Sequence, residues 1–124
     1  MDKKFIARDK SKEFAIRIVN LYKYLREDKK EYVLSKQILR SGTSIGANLA
    51  EAEYAISKKD FLAKVYNALK ESAETIYWLD LLFQTKYLTE IEYKSIYESA
   101  LELLKMLTAT TKTLSNKLNS TNDN

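Results

Sequence analysis

Punctuation is almost missing from this chain. Its 124 residues include no proline and two glycines, Gly42 and Gly46. Turns lean on those two residue types, because proline presets φ and glycine reaches positive φ without a Cβ penalty. A β-rich or α/β chain needs many such turns, so this sequence is directed towards an all-α fold. The glycines do not mark a loop either. They lie in Ser41–Ala52, SGTSIGANLAEA, and Ser41 to Ala50 is free of charge in a chain that is 31% charged. The stretch falls inside a helical pattern, with Leu34, Ile38, Ser41, Ile45, Leu49, Ala52 and Ile56 at spacings of 4, 3, 4, 4, 3 and 4. A helix with so little charge around its circumference has to be covered, by its own bundle or by a second copy.

The rest of the chain repeats that spacing. A first helix is predicted over about 11–26 on Phe14, Ile18, Leu21 and Leu25, after a basic lead-in over residues 1–10. The second, about 35–53, has Ser35 as its N-cap, with Leu34 and Leu39 placed as a hydrophobic staple. The third, about 58–86, follows Ser57-Lys58-Lys59-Asp60, a relative of the capping box with Asp in place of Glu. Its stripe is Leu62, Val65, Leu69, Ser72, Ile76, Leu79 and Phe83, the alternating spacing of left-handed helix packing. The fourth, about 90–118, opens on a full capping box, Thr89 to Glu92, with Leu88 and Tyr93 as its staple. Residues 119–124 are expected to be a disordered polar tail. Four amphipathic helices with short connections imply an antiparallel up-down-up-down four-helix bundle over 11–118.

Composition then narrows the chemistry. The chain has no histidine and no cysteine. That removes Ser-His-Asp and Cys-His catalysis, the usual zinc ligand sets and the Glu-x-x-His motif of di-iron bundles. The N-terminus has no apolar run of the signal-peptide type, and no stretch reaches the ~18 apolar residues of a membrane span. The expectation is a cytoplasmic, non-enzymatic protein with no metal, no cofactor, no membrane contact and no small-molecule substrate. Charge is uneven: residues 1–40 hold 12 Lys or Arg against 6 Asp or Glu, a net of +6, while residues 41–124 hold 9 against 11, a net of −2. A basic first third suits an anionic partner, RNA or DNA, and the candidate surface is Lys3, Lys4, Arg8, Lys12, Arg17 and Arg40. A merely solvated, lysine-rich surface would read the same way.

Three further groups carry weight. Gly42-x-x-x-Gly46 is no phosphate cradle, since no Lys-Ser/Thr follows it and it lies within a helix. With Ala47 and Ala50 it makes a row of small residues that admits another backbone closely. Glu71 and Glu74 stand at i, i+3, the spacing of a carboxylate pair, but on the wheel they point away from the stripe of helix 3. Asp80 lies nearer the stripe and needs a partner from another helix. With Ile76 at 0° and 100° per residue, Trp78 falls at about 200°, Leu81 near 140° and Glu74 near 160°, an outward apolar patch that a monomer rarely leaves bare. The candidate oligomer interface is therefore Gly42, Gly46, Ala47, Ala50, Trp78 and Leu81, with Glu71 and Glu74 on the rim.

SGTSIGANLAEA, with LSKQILR before it, SKKDFLAK after it and the later ALKESAETIYWLDLL, resembles the 23S rRNA intervening-sequence protein family, the S23-type four-helix bundle proteins. The resemblance covers about residues 11–118. It implies a bundle that assembles as a ring, typically a homopentamer, and brings no enzymatic activity with it. It also implies kinship with the accessory variability determinant of diversity-generating retroelements, a basic pentamer that works with a reverse transcriptase and nucleic acid. The leading expectation is thus an oligomeric binding or scaffold module for nucleic acid or a nucleoprotein complex. A protein-only adaptor is the alternative, and a carboxylate/metal enzyme built on Glu71, Glu74 and Asp80 is a third.

Overall fold

The computed structural model describes residues 6–122, with side chains described through 120. Four helices follow one another: α1 (Ile6–Glu27), α2 (Leu34–Ala52), α3 (Lys58–Gln84) and α4 (Glu90–Asn122). Their cross-links run in opposite directions along each neighbouring pair. Gly42 meets Ile18 and Gly46 meets Ser11 across α1 and α2. Ser41 meets Thr75, and Glu51 meets Lys64, across α2 and α3. Arg17 meets Ser95 and Ser99, and Lys10 meets Glu102, across α1 and α4. The Phe83 ring stacks on Tyr93 across α3 and α4 at 4.4 Å. The result is the antiparallel up-down-up-down bundle, a closed square of helices around Ile18, Leu25, Ile38, Ile45, Leu79, Leu82, Leu103 and Leu107.

Both ends differ from the expected spans. α1 begins at Ile6, inside the stretch read as a lead-in. Ala7 and Ser11 are buried and extend the Phe14–Ile18 stripe by another turn and more, while Lys10 reaches Glu102 on α4. α4 runs on to Asn122, through most of the segment expected to be disordered. Nothing in its sequence breaks a helix, and Leu114 packs against the core. At 33 residues it is about 50 Å long, against about 28 Å for the 19 residues of α2.

The helix starts separate local motifs from non-local ones. Ser57 Oγ accepts from Asp60 N at 3.0 Å, and Asp60 accepts in turn from Ile56 N at 3.1 Å. Thr89 and Glu92 make the reciprocal box, at 2.8 and 3.2 Å. The start of α2 is otherwise. Ser35 is not its N-cap; the helix begins at Leu34, and the buried Glu31 carboxylate accepts from Ser35 N at 2.7 Å and Val33 N at 3.2 Å. A carboxylate there answers two otherwise unpaired N–H groups and the positive end of the helix at once. The Ser35 hydroxyl is buried without a hydrogen-bond partner among the described residues. Ile56, placed on the α2 stripe by spacing, lies past the helix end and is 93% exposed.

The core face of α3 is rotated from the expected one. The buried residues are Val65, Ala68, Ser72, Thr75, Leu79 and Leu82. On a wheel with Ile76 at 0°, their arc centres about 70° away from Ile76. Leu69 and Ile76 become flank residues, packed against the core but only partly buried. The rotation follows from small residues: Ala68, Ser72 and Thr75 let α3 lie close to α2, where the Thr75 hydroxyl donates to Ser41 Oγ at 3.0 Å.

Candidate functional site

The glycine row of α2 is turned inward. An ideal Cβ on Gly42 would lie 2.7 Å from Ile18 Cγ1, and one on Gly46 would lie 3.1 Å from Ser11 Oγ. The close neighbour is α1 of the same chain, so Gly42 and Gly46 belong to the bundle interior and not to an outer contact surface. Ala47 and Ala50 are exposed on the other side of α2.

Next to them lies the polar cluster the sequence hinted at in pieces. Arg40 of α2 spans to α3, where one guanidinium nitrogen donates to Glu71 at 3.3 Å and another to Glu74. The Trp78 indole N–H donates to the same Glu74 carboxylate at 2.9 Å. That indole bond, and then the guanidinium, hold the Glu74 carboxyl below the usual carboxylate range. Glu74 is therefore a committed anion and acceptor near neutral pH, unsuited to giving up a proton as a general acid. Asn48, Asn67 and Lys70 join Glu71 and Glu74 around a groove of about 390 Å³ on this face. Among the described residues, no three His, Cys, Asp or Glu side chains are grouped so as to hold a metal ion.

Trp78 is not the outward pole of α3. Because the buried arc is rotated, it stands about 90° from the arc's centre, half-buried and packed against the core. The residue opposite the core is Tyr77, 59% exposed, whose ring meets Trp78 edge-on at 5.0 Å. Leu81 is half-buried beyond it. Asp80 finds its partner across the helix pair: the Tyr93 hydroxyl hydrogen-bonds it, and burial first, then the Asp80 charge, push the phenol up. Phe83, Tyr93 and Tyr97 continue from there as a row of rings.

Of the six basic residues proposed as one surface, the four described ones are not gathered on one face. Lys3 and Lys4 lie outside the described residues. Arg8 pairs with Glu53 and Asp9. Arg17 donates to Ser95 Oγ at 2.9 Å and Ser99 Oγ at 3.0 Å on the α1–α4 side, and Arg40 lies on the opposite, α2–α3 side. Lys12 is exposed. A second basic group lies outside that candidate surface. At the end where α1 passes to α2 and α3 to α4, Arg26 sits 5.5 Å from the Tyr22 ring and 5.9 Å from the Tyr32 ring, and Lys29 sits 5.7 Å from Tyr24. The signal was present as tyrosine interleaved with Lys and Arg over residues 22–32.

The architecture defines a class, the four-helix bundle proteins. The chain belongs to the 23S rRNA-intervening sequence protein family, whose profile matches residues 3–109. It is similar to a crystal structure of a protein of unknown function from the S23 ribosomal protein family of Bacteroides thetaiotaomicron. The two are 55% identical, with a TM-score of 0.87 over 90% of this chain and 99% of that one. No curated protein matches the sequence. No helix among the described residues is long and apolar enough to cross a membrane.

Proposed function

We propose that this chain is a non-enzymatic bundle that self-associates and serves as a binding or scaffold module, with nucleic acid or a nucleoprotein complex as its partner. The observation that carries this reading is how much apolar surface the folded chain leaves in water. Ile16, Tyr66 and Tyr77 are exposed in the middle of helices, and Val33, Tyr54, Ile56 and Ile91 are exposed at the connections and helix ends. Contiguous apolar surface is what marks a contact site, and on α3 the exposed Tyr77 ring meets the half-buried Trp78 edge-on. The carboxylates that an acid–base or metal mechanism would need are otherwise engaged: Glu71 and Glu74 with Arg40, Asp80 with Tyr93, and Glu31 and Glu92 at helix starts.

The contact between copies is assigned to the outer face of α3, around Tyr77, Trp78 and Leu81, facing the uncharged side of α2 with Ala47 and Ala50. Two different patches of this kind close a ring when the rotation permits, and the resemblance points to five copies. A net charge of +4 and a family name drawn from ribosomal RNA support an anionic partner. The test has two arms. Sedimentation velocity at micromolar concentration should show an oligomer, and Tyr77→Ser should dissociate it with helicity retained. Titration against RNA and DNA should show affinity rising steeply as salt falls. A monomer in the first arm ends the self-association reading, and no binding at low salt ends the nucleic-acid reading.

A further inference from the structure

Among the described residues, two that are not glycine have positive φ: Lys30 at 56° and Lys86 at 69°. Each stands where a helix is closed off. After α3, Lys86 N donates to Phe83 O at 3.0 Å and Tyr87 N to Leu82 O at 2.9 Å, the paired bonds of a Schellman closure with Lys86 at its left-handed position. After α1, Glu31 N reaches back to Leu25 O at 2.9 Å around Lys30. Glycine fills such positions at no steric cost and asparagine at little; lysine enters them at a steric cost. The chain has two glycines and places both inside α2. Nothing in the fold asks for a lysine at either turn, and neither ammonium makes an ion pair among the described residues.

Both turns lie at one end of the bundle. Tyr24 of α1 hydrogen-bonds Glu92 of α4, and Lys29 is close enough to Glu92 to help lower its pKa. Lys23, Arg26 and Lys36 are exposed at the same end. Two of its carboxylates are engaged with backbone N–H groups, Glu31 with the start of α2 and Glu92 with the start of α4. Glu27, Asp28 and Glu90 remain on the rim. Tyr32 is half exposed, with the Arg26 guanidinium over its ring.

We propose that this end of the bundle binds single-stranded nucleic acid, with Lys30 and Lys86 on phosphates and Tyr32 stacked against a base. A strained backbone kept for its side chain marks a position used by a partner. A half-exposed aromatic ring beside a cation suits an unpaired base, which a duplex does not present. The proposal rests on the nucleic-acid reading above and adds its location and strandedness.

The test sets stability against binding. Lys30→Gly and Lys86→Gly should each raise the melting temperature by about 3–5 °C, because glycine relieves the left-handed turn. Each should also lose roughly tenfold in affinity for a fluorescein-labelled oligouridylate at about 50 mM salt, and lower the slope of log K against log salt by about 0.7. Tyr32→Ala should weaken binding with the slope unchanged. Lys59→Gln and Lys112→Gln, each a charge-matched change at the opposite end, should stay near wild type. Wild type that fails to bind at low salt overturns both this site and the nucleic-acid reading. Wild type that binds while the glycine variants bind equally well overturns the site alone, as does an equal loss in the control or a fall in melting temperature.

Discussion

The middle of α2 and the two turns at the basic end make opposite demands on the backbone, and the chain answers both against propensity. Gly42 and Gly46 sit where glycine costs a helix about 1 kcal/mol each. Lys30 and Lys86 sit in left-handed turns where a side chain costs about 1–2 kcal/mol. In α2 the fold supplies the reason, because Ile18 and Ser11 occupy the space a Cβ would need. At the turns the folded chain supplies none. The difference teaches where to look for each explanation: inside the bundle for the glycines, outside it for the lysines.

The largest effect that sharpens this contrast is expected at Gly42. Gly42→Ala forces the Ile18 Cγ atoms aside, and overpacking of ~1–3 kcal/mol exceeds the propensity gained. A net loss of about 1–2 kcal/mol should appear as a lower urea midpoint with an unchanged m-value. Ile18→Ala, which removes both Cγ atoms, should cost less beside Gly42→Ala than alone, a coupling that a double-mutant cycle would read.

Next comes the α2–α3 seam. Thr75→Val removes the bond to Ser41 and leaves a buried hydroxyl with one partner fewer, a loss of about 1–2 kcal/mol in the same measurement. The cap on α4 should respond to pH. The Thr89 backbone N–H, first among its causes, holds Glu92 below its unfolded pKa, so this cap's contribution is complete above the unfolded value. It is lost as pH falls through the folded one. Glu92→Gln should flatten that part of the stability–pH curve, and a curve identical to wild type would show that the box contributes nothing. The smallest effect is expected at Ser35, whose unpartnered hydroxyl makes Ser35→Ala neutral or slightly stabilising. A loss above ~1 kcal/mol would reveal a hydrogen bond to Ser35 that the fold does not display.

What could be read from the sequence was local. The order of helices followed from the 3–4 spacing, and the starts of α3 and α4 from motifs four residues long. The start of α2 was misread because Glu31 caps it from four residues before Ser35, outside any standard box. The α3 face was misplaced because Ala68 and Thr75 are buried without being strongly hydrophobic. Ile76 drew the wheel towards itself, and Trp78 was sent outward in consequence. The candidate sites were less legible still. Arg40 with Glu71 and Glu74, and Asp80 with Tyr93, are meetings between helices that no spacing encodes. The left-handed lysines were invisible for another reason: a turn without glycine carries no signature in the sequence.

One comparison bears most directly on the central contrast, that the glycines serve the fold and the turn lysines serve something beyond it. It is the urea midpoint of Gly42→Ala beside that of Lys30→Gly with Lys86→Gly, measured under one set of conditions. A lower midpoint is expected for the first and a higher one for the second. A lower midpoint for the lysine pair would mean that those side chains support the fold after all, and would contradict that contrast.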